Sequence, residues 1–167
     1  MSSRSPVHSF VCHDNGASSL VFSPKHQMLI SGGKKGEIIL FDIRQQKQME
    51  TIKAHTMNVK SLALDPDEQF FVSGSNEGSV KAWSLPNLQQ IVSLEDAHIK
   101  QTFLSFKPSG VFTDPVSTFG VMEVMISGKY LYTCGSDGRI LRTEFNRIPK
   151  EHTHNSETDS HSDDDIK

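Results

Sequence analysis

The sequence lacks the residues and runs on which several classes of protein depend. Only two cysteines occur in 167 residues, Cys12 and Cys134, which excludes a disulfide framework and a zinc site with four thiolate ligands. No apolar run approaches the roughly 20 residues needed to cross a bilayer, and residues 1–6 lack the apolar stretch of a secretory signal. We therefore expect a cytoplasmic protein with no direct membrane insertion.

A strongly basic body is also missing. The formal net charge is −3, and residues 150–167 carry six acidic residues against Lys150 and Lys167, a net of −4. The rest of the chain therefore carries +1. Proteins that bind nucleic acid usually need a basic face to displace counterions, so nucleic acid is not an expected partner.

No catalytic or cofactor-binding constellation is present. The sequence contains no nucleophile elbow and no phosphate loop, and Gly32, Gly33 and Gly36 precede no helix that could bind a phosphate. The tail histidines His152, His154 and His161 could bind a transition metal weakly, but a solvated tail is the favoured interpretation. We predict no enzyme activity, no cofactor and no metal site.

A repeat of 42 residues is the strongest signal in the sequence. Residues 13–43 and 55–85 match at one spacing in five positions: His13 with His55, Pro24 with Pro66, Ser31 with Ser73, Gly36 with Gly78, and Phe41 with Trp83. Five matches at a single period are hard to obtain by chance and indicate repeated structural units.

Each unit contains short strands separated by turn residues. In the second unit we predict strands over residues 59–64, 69–73, 79–83 and 89–94, with turns at 65–68 and 76–78. Four strands in one repeat, with a glycine turn and an aromatic residue closing the third strand, are typical of a β-propeller blade.

A third unit is present in altered form. Residues 134–140 match the turn that follows Ser73 with one residue fewer, and strands are predicted over 121–126 and 129–133. Residues 99–120 form an inserted loop with four phenylalanines: Phe103, Phe106, Phe112 and Phe119. No fourth strand is evident after Phe145.

The predicted fold is all-β, with about three blades of a partial propeller and a disordered acidic C-terminal tail. The predicted segments are the last strand of a preceding blade over residues 1–12, blade one over 13–54, blade two over 55–97, blade three over 98–148, and the tail over 149–167. Because three blades cannot close a ring, we expect exposed edges that promote association or aggregation.

The repeats resemble WD40 proteins, and more specifically the last propeller of the DmX-like, or rabconnectin, family. The resemblance runs from about residue 7 to 145. It rests on the segments Cys12-His-Asp, Pro24-Lys-His-Gln, Leu29-Ile-Ser-Gly-Gly, Phe41-Asp with Arg44-Gln, Trp83-Ser-Leu and Gly120-Val-Met. The acidic tail, the phenylalanine-rich insertion and the short length depart from the family pattern.

This resemblance implies a function that composition and spacing do not indicate. DmX-like proteins are very large scaffolds that promote assembly of the vacuolar-type proton pump and vesicle acidification. It implies a protein–protein interaction scaffold, peripheral on vesicles or endosomes, whose partners include pump subunits or other components of a DmX-like complex. The alternative is a generic WD40 adaptor in an unrelated complex, such as the substrate-recognition subunit of an enzyme assembly.

The resemblance also implies a structural role for the repeated histidines. WD40 blades join their strands through hydrogen bonds among histidine, serine or threonine, aspartate and tryptophan. The matching residues are His55, Ser73, Glu77 and Trp83 in blade two, His13 and Ser31 in blade one, and Asp137 in blade three. In blade one, Lys35 and Phe41 stand where aspartate and tryptophan are expected.

Two further sets are candidates for regulation or binding. Propeller loops at one face commonly carry partner contacts, which here predicts Lys34, Lys35, Asn58, Lys60 and Asn76. In the tail, three serines precede an acidic residue by three positions, a spacing that acidophilic kinases prefer: Ser156, Ser160 and Ser162.

Overall fold

Three antiparallel sheets, one for each predicted unit, make up most of the structure. This computed structural model describes Ser9 and residues 11–98, 102–103, 116–117 and 120–145. These residues contain strands, turns and irregular segments but no helix. The prediction of an all-β partial propeller is confirmed.

The strands of each sheet follow one another in chain order. The first sheet contains β1 (Ala17–Ser23), β2 (Met28–Gly33), β3 (Glu37–Asp42) and β4 (Lys47–Lys53). The second contains β5 (Val59–Leu64), β6 (Phe70–Ser75), β7 (Val80–Ser84) and β8 (Gln90–Leu94). The third contains β11 (Val121–Ser127), β12 (Tyr130–Gly135) and β13 (Ile140–Glu144).

The predicted insertion holds a short pair of strands. β9 (Thr102–Phe103) pairs with β10 (Val116–Ser117) in antiparallel register, where a loop is predicted. The other residues between 99 and 119 lie outside the described part of the chain, as do the tail and its three candidate phosphorylation sites. Of the strand predicted over 7–12, Ser9, Val11 and Cys12 are described, and none of them is in a strand.

The first strands of the sheets lie next to one another, with β5 packed between β1 and β11. Hydroxyl groups join these strands at equivalent positions. Ser19 Oγ accepts a hydrogen bond from the Leu62 amide at 3.0 Å, and Ser61 Oγ accepts one from the Val124 amide at 3.1 Å. The same bond therefore fixes each sheet to the next, as the repeat requires.

Two apolar layers fill the spaces between the sheets. Between the first and second sheets the core includes Ile30, Ile38, Leu40, Phe71 and Trp83. Between the second and third sheets a smaller core is formed by Phe70, Val72, Val80, Val121, Val124 and Leu131. Each sheet is thus buried by its neighbours in the chain, which is how stacked repeats obtain a core.

Candidate interaction surface

A buried hydrogen-bond network joins the strands of the second sheet. The Glu77 carboxylate accepts from His55 Nδ1 at 2.6 Å, so Nε2 is the nitrogen that accepts the Ser73 hydroxyl hydrogen at 2.8 Å. Trp83 Nε1 donates to Ser73 Oγ at 2.9 Å. His55 precedes β5, and through these bonds it is joined to Ser73 on β6 and to Glu77 in the β6–β7 hairpin. Ser73 in turn is joined to Trp83 on β7.

The arrangement has the order of a serine–histidine–acid triad, but not its accessibility. Ser73 is completely buried and already bonded to both His55 and Trp83. A nucleophile must reach a substrate carbonyl, and no substrate can reach this hydroxyl. The network therefore stabilises the blade, which agrees with the structural role implied for these residues.

Burial and hydrogen bonding shift the pKa values of both ionisable members. Burial lowers the pKa of His55 below its ordinary 6.5, although the hydrogen bond and charge of Glu77 oppose this effect. Burial alone would raise the pKa of Glu77, but hydrogen bonds from Ser79, Thr56 and His55 lower it from 4.5 to about 2. At neutral pH the network therefore holds a neutral imidazole and a carboxylate.

These shifts predict that the free energy of unfolding decreases on acidification. Both folded-state pKa values lie below those of the unfolded chain, so the unfolded chain binds more protons. The contribution of His55 is complete above pH 6.5 and is lost below it. That of Glu77 is complete above pH 4.5 and is lost toward pH 2. Urea midpoints measured from pH 7.5 to 3 should decrease steadily, and Glu77→Gln should flatten the part below pH 4.5. Midpoints that rise on acidification would contradict this prediction.

The first sheet builds its network with a different carboxylate. His13 Nε2 lies 3.0 Å from Ser31 Oγ, and its Nδ1 lies 2.7 Å from Glu37 Oε1. Glu37 corresponds to Ser79 of the second sheet, two residues after the position that Lys35 occupies. Sequence comparison at the aspartate position therefore missed it. The signal was available, since Glu37 is an acidic residue at the start of β3, close to Gly36.

The third sheet contains the same kind of network despite the insertion before it. His98 is fully buried, and its Nδ1 lies 3.0 Å from Asp137 Oδ1 while its Nε2 lies 2.9 Å from Thr133 Oγ1. Asp137 was among the predicted residues, whereas His98 and Thr133 were not. Thr143, which corresponds to Trp83, supplies no indole donor.

The predicted contact residues divide into exposed and covered ones. Lys34 and Lys35 are exposed at the β2–β3 hairpin, where Lys35 Nζ forms a surface ion pair with Asp14 at 3.1 Å. Asn58 and Lys60 are half-buried at the start of β5. Asn76 is buried, which corrects its prediction as a contact residue.

The cause of this burial is the chain that leads into β11. The Gly120 amide donates to the Asn76 carbonyl at 3.1 Å, and the Asn76 amide donates to the Asn58 carbonyl at 3.0 Å. The first of these bonds, together with the close approach of Gly120 to Gly78, where an added Cβ on Gly120 would lie 2.3 Å from the Gly78 nitrogen, places Gly120 directly over the β6–β7 hairpin. Lys34, the equivalent residue of the β2–β3 hairpin, stays exposed, so Lys34 and Lys35 are the most accessible members of the predicted set.

The described residues carry no other obvious chemistry. Within them, no group of three or more histidine, cysteine, aspartate or glutamate side chains could hold a metal ion. In the same part of the chain, no helix is long and apolar enough to cross a membrane.

The repeat and its networks agree with a comparison with known families. The model of the WD domain, G-beta repeat, matches residues 4–42 and 46–84. This chain contains WD40 repeats. Each match begins one strand before a sheet: the second covers β4 and then β5 to β7, ending at the last residue of β7. Residues 4–12 thus correspond to 46–54, which contain β4.

Two curated relatives carry the name of the predicted family. The chain is 39% identical over 150 residues to DmX-like protein 1 of Mus musculus and 38% identical to DmX-like protein 1 of Homo sapiens. Both alignments cover 87% of this chain, which spans about 5% of the length of each relative. The chain is thus a WD40 propeller scaffold similar to a DmX-like protein.

A solved structure shows the same fold. The β-propeller domain of Cps50 (Swd1) from Myceliophteria thermophila superposes with a TM-score of 0.58 at 13% identity. The match covers 86% of this chain and 43% of that chain. WD40 propellers generally mediate protein–protein interactions, and the WD40 repeats together with the similarity to DmX-like proteins point to a non-enzymatic scaffold.

Proposed function

We propose that this chain binds proteins within a DmX-like assembly that promotes vacuolar-type proton-pump assembly and vesicle acidification. The observation that carries the proposal is the 38–39% identity to DmX-like protein 1 over most of the chain. The buried state of the Ser73 hydroxyl supports a binding role over a catalytic one. In this proposal the chain acts in the cytoplasm, peripherally on vesicles or endosomes.

The β2–β3 hairpin is the proposed contact site for a pump subunit or another component of the assembly. Lys34 and Lys35 place two positive charges side by side on an exposed turn. The ion pair of Lys35 with Asp14 is solvent-exposed on both sides, so it constrains the lysine little. An acidic patch on a partner would complement this hairpin and steer its association.

Reversing both charges tests this contact. Lys34→Glu/Lys35→Glu should change the free energy of unfolding by no more than about 0.5 kcal/mol, because both side chains are exposed. It should weaken recovery of proton-pump or DmX-like components in pull-downs from cytosol. The difference should decrease as salt is raised, because screening weakens long-range attraction.

A matched control separates the hairpin from general charge effects. Lys47→Glu/Lys53→Glu changes the net charge equally on β4, where both lysines are exposed. It should leave recovery unchanged. Equal recovery by all three proteins would remove Lys34 and Lys35 from the contact site. Recovery of an unrelated complex, without any pump component, would favour the generic WD40 adaptor.

A further inference from the structure

In the first two sheets, the residue that follows the network histidine contacts the hairpin between the second and third strands. In the second sheet this residue is Thr56, whose amide and hydroxyl both donate to the Glu77 carboxylate. In the first sheet it is Asp14, which accepts a hydrogen bond from Lys35 Nζ at 3.1 Å. Asp14 stands 42 residues before Thr56, and Lys35 stands at the same distance before Glu77. The two contacts are therefore equivalent in position, but the donor and the acceptor have exchanged places.

In the second sheet this contact belongs to the buried network. The Glu77 carboxylate also accepts hydrogen bonds from His55 and Ser79, and its side chain is only 17% exposed. Separating Thr56 from Glu77 would leave a mostly buried carboxylate with fewer donors, which is costly. This contact is therefore structural.

In the first sheet the equivalent contact lies outside the network. Glu37 on β3 supplies the carboxylate for His13, so the histidine needs no partner from the hairpin. The side chains of Lys35 and Asp14 are 53% and 86% exposed. Exposed ion pairs contribute little to stability, because water solvates both charges well. The Lys35–Asp14 pair can therefore separate without disturbing the blade.

The backbone that carries this pair is nevertheless held in place. His13 is buried in the network of the first sheet. The Gly16 amide donates to the His13 carbonyl at 3.4 Å, and the Gly16 carbonyl accepts a hydrogen bond from the Lys34 amide at 3.2 Å. These bonds fix the turn that contains Asp14 against the β2–β3 hairpin. Only the exposed side chain of Asp14 has to move for another carboxylate to reach Lys35.

The other lysine of the hairpin lies beside the same turn. Lys34 Nζ would be 3.9 Å from a Cβ atom added to Gly16, so the lysine side chain lies along this glycine. Lys34 is exposed, and its ammonium group is paired with no carboxylate of the described residues. The hairpin therefore presents two ammonium groups, of which Lys35 has a carboxylate partner and Lys34 has none.

We infer that Asp14 competes with the acidic partner of this hairpin, and that a carboxylate of the partner replaces Asp14 at Lys35. This inference rests on the proposed function of Lys34 and Lys35. The partner that fits is a protein segment with two neighbouring carboxylates, because one binds Lys34 directly and the other takes the place of Asp14. Lys35 loses one ion pair for each one that it gains, so Asp14 limits how tightly an acidic segment binds.

Asp14→Asn tests this exchange. The variant keeps the shape of the side chain but removes its charge, so the partner has no carboxylate to replace. The full chain carrying Asp14→Asn should bind a fluorescein-labelled hexaglutamate peptide about two- to fivefold more tightly than wild type, the range for an exposed ion pair. Fluorescence anisotropy at low salt measures the dissociation constant. A hexaglutamine peptide is the uncharged control, and circular dichroism checks that each variant folds.

Lys35→Met separates exchange at Lys35 from a general change of charge. This substitution alone should weaken binding of the hexaglutamate peptide. Adding Asp14→Asn should then change the dissociation constant little, because no ammonium group remains for which the two carboxylates compete. An increase in affinity as large in the Lys35→Met background as in wild type would indicate a general charge effect and overturn the inference.

The outcomes distinguish this inference from the proposed contact site. If Lys34→Glu/Lys35→Glu weakens peptide binding while Asp14→Asn leaves it unchanged, the hairpin is the contact site and the exchange is wrong. Weaker binding by Asp14→Asn would also overturn the exchange, since Asp14 would then assist the partner rather than compete with it. If none of these substitutions changes binding, or if Asp14→Asn binds no peptide, both the contact with acidic segments and the exchange are wrong.

Discussion

Replacement of Trp83 by alanine should lower the free energy of unfolding by about 3–5 kcal/mol, the range for truncation of buried large aromatics. The indole is 6% exposed and packs in the core between the first and second sheets, with its ring 6.5 Å from that of Phe71. Its Nε1 also donates to Ser73 in the buried network. The variant therefore loses apolar contacts and leaves a buried hydroxyl without its donor. Urea unfolding followed by circular dichroism measures the loss.

Trp83→Phe separates the two contributions. It keeps most of the apolar contact but removes the donor to Ser73, so the loss should be about 1–2 kcal/mol. Because Trp83 is the only tryptophan, its emission also reports burial in the wild-type protein. Emission like that of free indole in water would contradict the packing described here, as would an alanine variant as stable as wild type.

The fold could be predicted from the sequence because the first two units keep one period. The spacing of 42 residues aligned their turns, and the strand predicted over 59–64 is β5 as observed. Elsewhere the observed strand ends differ from the predicted ones by one or two residues. For example, β6 is predicted to end at Ser73 and is observed to end at Ser75. Hydrogen bonding across a hairpin, which sequence patterns do not encode, sets these ends.

The residues of the buried networks were predicted where they follow the period of 42 and missed where an equivalent residue stands at another position. Glu37 reaches His13 from the start of β3, whereas Glu77 reaches His55 from the hairpin before β7. A glutamate carboxylate can form the hydrogen bond to the histidine Nδ1 from either position because the glutamate side chain is long enough. Alignment at a fixed spacing cannot detect a role that moves by two residues.

The third unit shows the limit of the repeat argument. His98 lies 43 residues after His55, close to the period of 42, but the insertion that follows it puts the start of β11 23 residues after His98, whereas β5 begins four residues after His55. Threonine also replaces serine at Thr133, although its hydroxyl makes the same bond. Only the three-dimensional contact between His98 and Asp137 shows that this network is complete.

The exposure of loop residues was the least predictable feature. Lys34 and Asn76 occupy equivalent hairpin positions, yet one is exposed and the other is buried. The difference comes from Gly120, which packs over the second hairpin and has no predictable position relative to it after an insertion. Burial at a hairpin therefore depends on the neighbouring blade rather than on the hairpin sequence.

Because neighbouring blades also contact each other at Gly36, this glycine is one of the described positions most sensitive to substitution. Its φ is +87°, and a Cβ atom would lie 2.1 Å from the His55 carbonyl oxygen. The Gly36 carbonyl in turn accepts the His55 amide at 2.9 Å, which holds the histidine of the second network in place. The hairpin of one blade thus positions the network of the next.

Gly36→Ala should therefore lower the free energy of unfolding by about 2–5 kcal/mol, the sum of a left-handed backbone penalty and an overlap with rigid backbone. Gly138→Ala provides the matched control, since Gly138 ends the equivalent hairpin of the third sheet with a φ of +75°, but its added Cβ would meet no atom of the described residues within 4 Å. Its loss should be limited to the backbone penalty of about 1–2 kcal/mol. Urea midpoints of the two variants measure the difference directly. If both lose the same stability, the contact between Gly36 and His55 contributes nothing, and the hairpin does not position the next blade.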